Sequence, residues 1–194
     1  MPSTNLLPCD GEVFYQSEFF SVREADDFLA ALLKTIAWEH DEVMMFGKKI
    51  ITARKVAWYG DASLAYRYSG KTRVAIEWTR ELRAMKEIIE RSTGASFNSC
   101  LLNLYADGDQ GMGWHSDDEK ELGRDPEIAS VSLGAKRRFD FRNKDSGEKV
   151  SVMLEHGSLL AMKGRTQTHW QHQIPKTKKV KELRVNLTFR QILK

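Results

Sequence analysis

The chain has 194 residues, 41% of them hydrophobic and 29% charged, the composition of one globular domain able to bury roughly 70% of its extended surface. Thirty Lys plus Arg against twenty-seven Asp plus Glu leave a net charge of +3, too small a surplus to argue for nucleic acid on its own. The sequence has no run of 18 apolar residues and no basic segment leading into an apolar one near Met1, so membrane spans and a secretion signal are unsupported and an intracellular protein is expected.

Ser21 with Glu24 three residues on is a capping-box pattern, and Phe28, Leu29, Leu32, Leu33 and Ile36 follow at helical spacing, which predicts a helix over Val22 to Ala37. Met45-Phe46-Gly47 is an apolar tip leading into a basic stretch that includes Lys48, Lys49 and Arg54. It reads either as an exposed hairpin carrying an apolar wedge or as a buried strand end. A second helix is predicted over Arg80 to Ser92, where Leu82, Met85, Ile88 and Ile89 share a face and Gly94 supplies the stop. Beyond Gly94 the pattern changes to short strands: Ser99 to Tyr105, Ile128 to Leu133, Arg138 to Arg142, Val150 to Leu154, Ser158 to Met162 and Arg184 to Phe189. That spacing predicts an α+β fold, a β-sandwich or double-stranded β-helix (jelly roll) with the helices packed on one sheet. Cys9 and Cys100 are too few for a disulfide framework and lack the pairing of a zinc site; Cys100 is expected to be buried.

Three features carry chemistry. His115 and Asp117 are two apart, so an extended segment points both to one side, where they could hold one ion. His172, preferred to His169 by its place in the segment, lies on another predicted strand and could complete a two-histidine, one-carboxylate triad with open coordination positions. In Arg184-Val185-Asn186-Leu187-Thr188-Phe189-Arg190 the even positions are all polar and the odd ones all apolar. Such a strand either faces solvent or lines a pocket in which guanidinium groups grip a small dicarboxylate, with Asn103 and Tyr105 contributing an amide and a phenol. The basic runs Lys136 to Arg138 and Lys176 to Lys181 and the acidic run Asp117 to Glu121 read, by themselves, as solvated loops.

The ordered set Asn103-Leu104-Tyr105, His115-Ser116-Asp117-Asp118-Glu119, His169-Trp170-Gln171-His172 and Arg184 to Arg190 resembles the AlkB family of Fe(II)- and 2-oxoglutarate-dependent nucleic-acid dealkylases. The resemblance covers about Met45 to Leu193. It implies Fe(II) held by His115, Asp117 and His172, and 2-oxoglutarate held by Asn103, Tyr105, Arg184, Thr188 and Arg190 with Asn186 in support. Dioxygen would be the second cosubstrate, and the products would be succinate, CO2, formaldehyde and a restored base. Tyr59-Gly60-Asp61 and Tyr66-Arg67-Tyr68-Ser69-Gly70 resemble the nucleotide-recognition lid of the duplex-DNA repair branch, with Tyr68 where that branch can carry phenylalanine.

On that resemblance Tyr66, Tyr68 and the His115 ring would sandwich a flipped base, and Asp118 and Glu119 would accept from its exocyclic amine. Met45, Phe46, Gly47, Lys48, Lys49 and Arg54 would contact DNA, duplex preferred and single strands possible. Lys176, Lys178, Lys179 and Lys181 would form a second phosphate-facing edge, or a nuclear-targeting run. The implied organisation is a single domain, a monomer, with hairpin and lid near 40–75 and the jelly roll near 97–193, located in a bacterial cytoplasm or a eukaryotic nucleus. Two other readings stand beside it: an RNA or protein oxygenase of the same fold, and a noncatalytic nucleic-acid-binding jelly roll, which would have no need of the full triad and both arginines.

Overall fold

In the computed structural model the described residues are 4–193 apart from 46, 47, 63, 69 and 70, with only the backbone described for 41–50 and 66–73. A short strand, β1 (Glu12–Gln16), precedes helix α1 (Val22–Thr35). The capping box forms: the Glu24 N–H donates to the Ser21 hydroxyl at 3.3 Å, and the Ser21 N–H donates to the Glu24 carboxylate at 2.9 Å. The helix stops two residues before the expected Ala37, where Ile36 turns extended and the Ala37 N–H donates to the Tyr59 hydroxyl at 3.0 Å. Leu33, expected on the buried face, is 37% exposed, lying about 100° round the helix from the fully buried Leu32.

Strands β2 (Glu39–Met45) and β3 (Lys48–Gly60) form an antiparallel hairpin with Met45 opposite Lys48. Strands β4 (Ala65–Tyr68) and β5 (Lys71–Val74) make a separate two-stranded ribbon, followed by β6 (Ile76–Glu77) and helix α2 (Arg80–Thr93). Thr79 caps α2, and Gly94 ends it at φ 76°, a left-handed conformation that glycine adopts without steric cost. The remainder is nearly all strand: β7 (Ser99–Tyr105), β8 (Met112–His115), β9 (Ile128–Gly134), β10 (Arg137–Asn143), β11 (Lys149–Leu154) and β12 (Ser158–Lys163). A single helical turn, α3 (Thr166–His169), then leads to β13 (Trp170–Ile174) and β14 (Arg184–Arg190).

The larger sheet runs β1-β12-β9-β14-β7-β3-β2 and the smaller β11-β10-β13-β8. From β7 onward the chain passes back and forth between them, which is the winding of a jelly roll. Register decides what each face of the larger sheet carries. Across β7, β14 and β9, Tyr105 lies opposite Arg184 and Arg184 opposite Gly134; Asn103, Asn186 and Ser132 form a wholly polar row, and Thr188 and Ser130 continue it beside an apolar Leu101. The alternate rows, Leu104-Val185-Leu133, Leu102-Leu187-Val131 and Cys100-Phe189-Ala129, are apolar throughout.

The apolar rows join Ala25 and Leu32 of α1 and Leu82, Met85 and Ile89 of α2 in one core. The opposite, polar face is therefore turned toward the smaller sheet. Residues Arg184 to Phe189 are buried on both faces, which removes the solvent-facing alternative for β14. A second core, with Phe139, Phe141, Leu160, Met162, Trp170 and Ile174, fills the space between the sheets beside the polar rows. Cys100 is buried, as expected, and Cys9 is exposed.

Leu32 joins helix to sheet at 0% exposure. Leu32→Ala is expected to lower the unfolding free energy by about 2–5 kcal/mol, measured by denaturant unfolding. A loss below about 1 kcal/mol would mean that α1 is not part of the cooperative core.

Candidate active site

His115 ends β8 and His172 sits centrally on β13, and the two are direct cross-strand partners. Their rings approach edge to face with centroids 4.2 Å apart. Asp117 follows β8 into a loop and is pinned there by its own N–H, which donates to the Gln167 side-chain carbonyl on α3 at 2.9 Å. One ligand atom from each of His115, Asp117 and His172 lies within 4.8 Å of the other two. His169 falls outside this group, 3.5 Å from Asp145.

The trio suits a divalent ion. The His115 Nδ1 lies 2.8 Å from the Gly113 carbonyl, which orients the ring and leaves its other nitrogen for a ligand. Burial, reinforced by His115, drives the His172 pKa down to about 3, so the ring is neutral with a lone pair to give. Its Nδ1 is buried with no hydrogen-bond partner among the described residues. For Asp117, burial works to raise the pKa, but the electrostatic influence of Arg190 above all, and of the two neighbouring histidines, outweighs it and holds the group below the usual carboxylate range. Arg190 donates to one Asp117 oxygen at 2.7 Å.

The polar rows of the larger sheet form a connected ladder. Arg184 donates to Ser132 at 2.9 Å and to the Asn186 side-chain carbonyl at 2.7 Å, Ser130 donates to the same Asn186 oxygen at 3.1 Å, and the Asn186 amide donates to Thr188 at 2.8 Å. Arg184 is 0% exposed, and its Nε and Nη1 find no hydrogen-bond partner among the described residues. Burial lowers its pKa to about 10, which still leaves a cation at neutral pH. A buried guanidinium without a counter-ion costs several kcal/mol, an order-of-magnitude penalty that an anion would relieve. The cleft between the sheets, about 480 Å³ with its mouth included, brings Asn103, Tyr105, Asn186, Thr188 and Arg190 to the same space as the trio. Arg184 is buried behind the lining, its Cζ 5.5 Å from the centre of the ring of Tyr105, which does line the cleft.

The remaining expected positions divide. Glu119 is half-buried with Oε2 enclosed and without a partner among the described residues, and burial, opposed by Arg190, raises its pKa. Asp118 instead turns outward, 66% exposed and 3.9 Å from Lys144, which fits the solvated-loop reading for that residue. Arg54 is half-buried with Nη1 3.3 Å from the Met112 sulfur at the cleft wall. Tyr66 and Tyr68 occupy alternate positions of β4, and Met45, Lys48 and Lys49 flank the β2–β3 connection; the side chains of all five, and Phe46 and Gly47 altogether, are outside the described set. Ser130, Ser132 and Gln167 are additions that the sequence reading lacks. The two serines carry a signal, since Ser130-Val131-Ser132-Leu133 has the same alternation as β14. Gln167 carries none.

A facial trio of two imidazoles and a carboxylate, beside a buried anion-seeking arginine in a jelly roll, defines the class of non-haem iron oxygenases. Residues 12–190 match the family described as the 2OG-Fe(II) oxygenase superfamily. The chain is 41% identical, over 99% of its length, to the human DNA oxidative demethylase ALKBH2, of which it covers 78%. It is 42% identical, over 90% of its length, to the human alpha-ketoglutarate-dependent dioxygenase alkB homolog 3, and spans only 64% of that protein. A solved structure of OsALKBH1 shares the fold with a TM-score of 0.62 at 16% identity, over 92% of this chain and 97% of that one. The chain belongs to the 2OG-Fe(II) oxygenase superfamily and, within it, to the AlkB family. Fe(II), 2-oxoglutarate and dioxygen are the cofactor and cosubstrates of that superfamily's chemistry.

His115→Ala, Asp117→Ala and His172→Ala are each expected to weaken Mn(II) or Fe(II) binding by at least about 100-fold in anaerobic titrations, with the far-UV spectrum unchanged. His169→Ala should bind metal as the parent does. Loss at His169 with retention at His172 would reverse the choice of histidine.

Proposed function

We propose that this chain is an oxidative DNA repair demethylase that removes N-alkyl lesions such as 1-methyladenine and 3-methylcytosine. One observation supports the oxidative half above the others: an uncompensated cation, Arg184, buried beside the cleft that holds the metal-binding trio. The DNA half is supported by 41% identity to a protein named a DNA oxidative demethylase. With Fe(II) bound, the chemistry supplied is oxidative: 2-oxoglutarate and O2 become succinate and CO2 while one oxygen atom enters an N-methyl C–H bond. The hydroxymethyl product then breaks its C–N bond, leaving formaldehyde and the restored base.

The chain's own residues have separate tasks in this reading. His115, Asp117 and His172 would hold the metal. Arg190 keeps Asp117 ionised, so that the carboxylate is ready to bind a cation at neutral pH. Asn103, Tyr105, Arg184, Thr188 and Arg190, with Asn186 in support, bind the oxo acid through its two carboxylates, and the two sheets keep bulk water from the reacting carbon. Glu119 accepts from the exocyclic amine of the flipped base and favours its cationic form, with Asp118 at the rim. Tyr66 and Tyr68, on the β4–β5 ribbon, form with His115 the stacking surfaces of a nucleotide-recognition lid.

Duplex DNA is the preferred substrate in this proposal, acted on by a monomeric single domain inside the cell. No helix among the described residues is long and apolar enough to cross a membrane. Lys48, Lys49 and Arg54 on the hairpin, and the exposed Lys176, Lys178, Lys179 and Lys181, give a phosphate-binding surface.

The deciding assay mixes the purified chain, Fe(II), 2-oxoglutarate and O2 with a 1-methyladenine oligonucleotide. It should yield succinate and formaldehyde in equal amounts together with adenine. Succinate released with methylated RNA alone would transfer the proposal to the RNA reading. Phe46→Ala is expected to slow repair of duplex by about tenfold, roughly 1.4 kcal/mol, and to spare single strands, since only a duplex leaves a gap to fill when a base is extracted. Equal losses on both substrates would remove the wedge assignment.

A further inference from the structure

One buried cation lies outside both the metal-binding trio and the polar ladder. Arg137, in a basic run that the sequence reads as solvated, is 1% exposed. Its Nη1 donates to the Asp107 carbonyl at 3.1 Å, and its Nη2 is within reach of the carbonyls of Gly108 at 3.4 Å, Gln110 at 2.8 Å and Pro175 at 3.0 Å. Those four acceptors belong to two particular connections. Residues 107–110 link β7, which carries Asn103 and Tyr105, to β8, which carries His115. Pro175 directly follows β13, which carries His172.

Arg137 also faces Tyr105, its Cζ 6.0 Å from the ring centre, while Arg184 lies 5.5 Å from the same ring. Tyr105 thus has two guanidinium groups as neighbours, and only Arg184 belongs to the ladder. A lysine could supply the charge, but its single ammonium cannot span two separate segments as a planar fork does.

We propose that Arg137 is a positioning residue for the cosubstrate: it seats Tyr105 and fixes the spacing of the strands that carry His115 and His172, without touching the oxo acid. This inference rests on the assignment of Tyr105 and Arg184 to 2-oxoglutarate. The loop it clamps has other ties. The Gly108 N–H donates to the Val180 carbonyl at 2.9 Å and the Thr177 N–H to the Gly108 carbonyl at 2.8 Å, an approach so close that a Cβ at Gly108 would lie 2.2 Å from the Thr177 oxygen. Loss of the Arg137 fork therefore loosens the seat while these bonds retain the loop.

The test uses the full chain loaded with Fe(II) in the absence of O2. 2-Oxoglutarate is titrated against the iron–oxo-acid charge-transfer absorption, with oligonucleotide binding and far-UV circular dichroism measured in parallel. Arg137→Met should raise the 2-oxoglutarate Kd by about tenfold or more, and Arg137→Lys by less, with the oligonucleotide Kd within about twofold of the parent. Parental 2-oxoglutarate affinity in a folded Arg137→Met would overturn the inference, as would a parallel loss of oligonucleotide binding. Should the methionine variant fail to fold, the lysine variant decides, and parental affinity there overturns the inference. Arg184→Met serves as the reference. Loss of affinity there without loss at Arg137 defeats the inference alone, whereas no loss at Arg184 defeats the site assignment and the inference together.

Discussion

The polar wall of the cleft depends on the pairing register of three adjacent strands. With β14 between β7 and β9, one face of the sheet is apolar throughout and the other mainly polar, with Leu101 the apolar exception. A slip by one residue would move Arg184, Asn186 and Thr188 into the helix-packed core and push Val185, Leu187 and Phe189 into the cleft. The apolar rows therefore act on the chemistry indirectly: by burying against α1 and α2 they hold the polar rows opposite the smaller sheet.

The electrostatics follow from the same geometry. Arg190 has a partner in Asp117, and Arg137 donates from Nη1 and Nη2 to main-chain carbonyls, but Arg184 is surrounded by hydroxyl and amide groups rather than carboxylates. The protein thus holds a deficit of negative charge in its interior before any cosubstrate arrives. Donors locked into a sheet ladder need little reorganisation when an anion enters, so less of the binding energy is spent on ordering them. His172 shows the corresponding effect of opposite sign, being held neutral by burial so that it can offer a lone pair.

Much of this was legible from residue order because the signals involved are local. The alternation in Arg184 to Arg190 and the run Ser99 to Tyr105 each define a strand without reference to any partner, and the observed β7 has the expected ends. The capping box at Ser21 and the glycine stop at Gly94 are local in the same sense. The harder elements depend on distant partners. β1 is five residues long and exists through pairing with β12, while β8 is a four-residue strand containing Gly113 whose placement depends on β13. Arg137 was illegible for a related reason: nothing in Lys136-Arg137-Arg138 distinguishes the middle residue until the carbonyls of residues 107–110 and 175 are brought around it. Likewise Asp118 and Glu119 are neighbours of one chemical type, and only the path of the loop turns one outward and the other inward.

Strand β3 joins two parts of the molecule that experience different demands. Its inner half, Lys55 to Gly60, pairs with β7, and Val56 lies directly opposite Asn103, whereas its outer half has β2 as its hairpin partner. The arrangement resembles a tool with a fixed tang and an exchangeable blade. Arg54 lies at the junction of the two halves, its Nη1 3.3 Å from the sulfur of Met112 in the cleft wall, so the hairpin and the cleft meet at one side chain. A shift of the outer hairpin is thus opposed by the strand pairing that fixes its inner end beside Asn103.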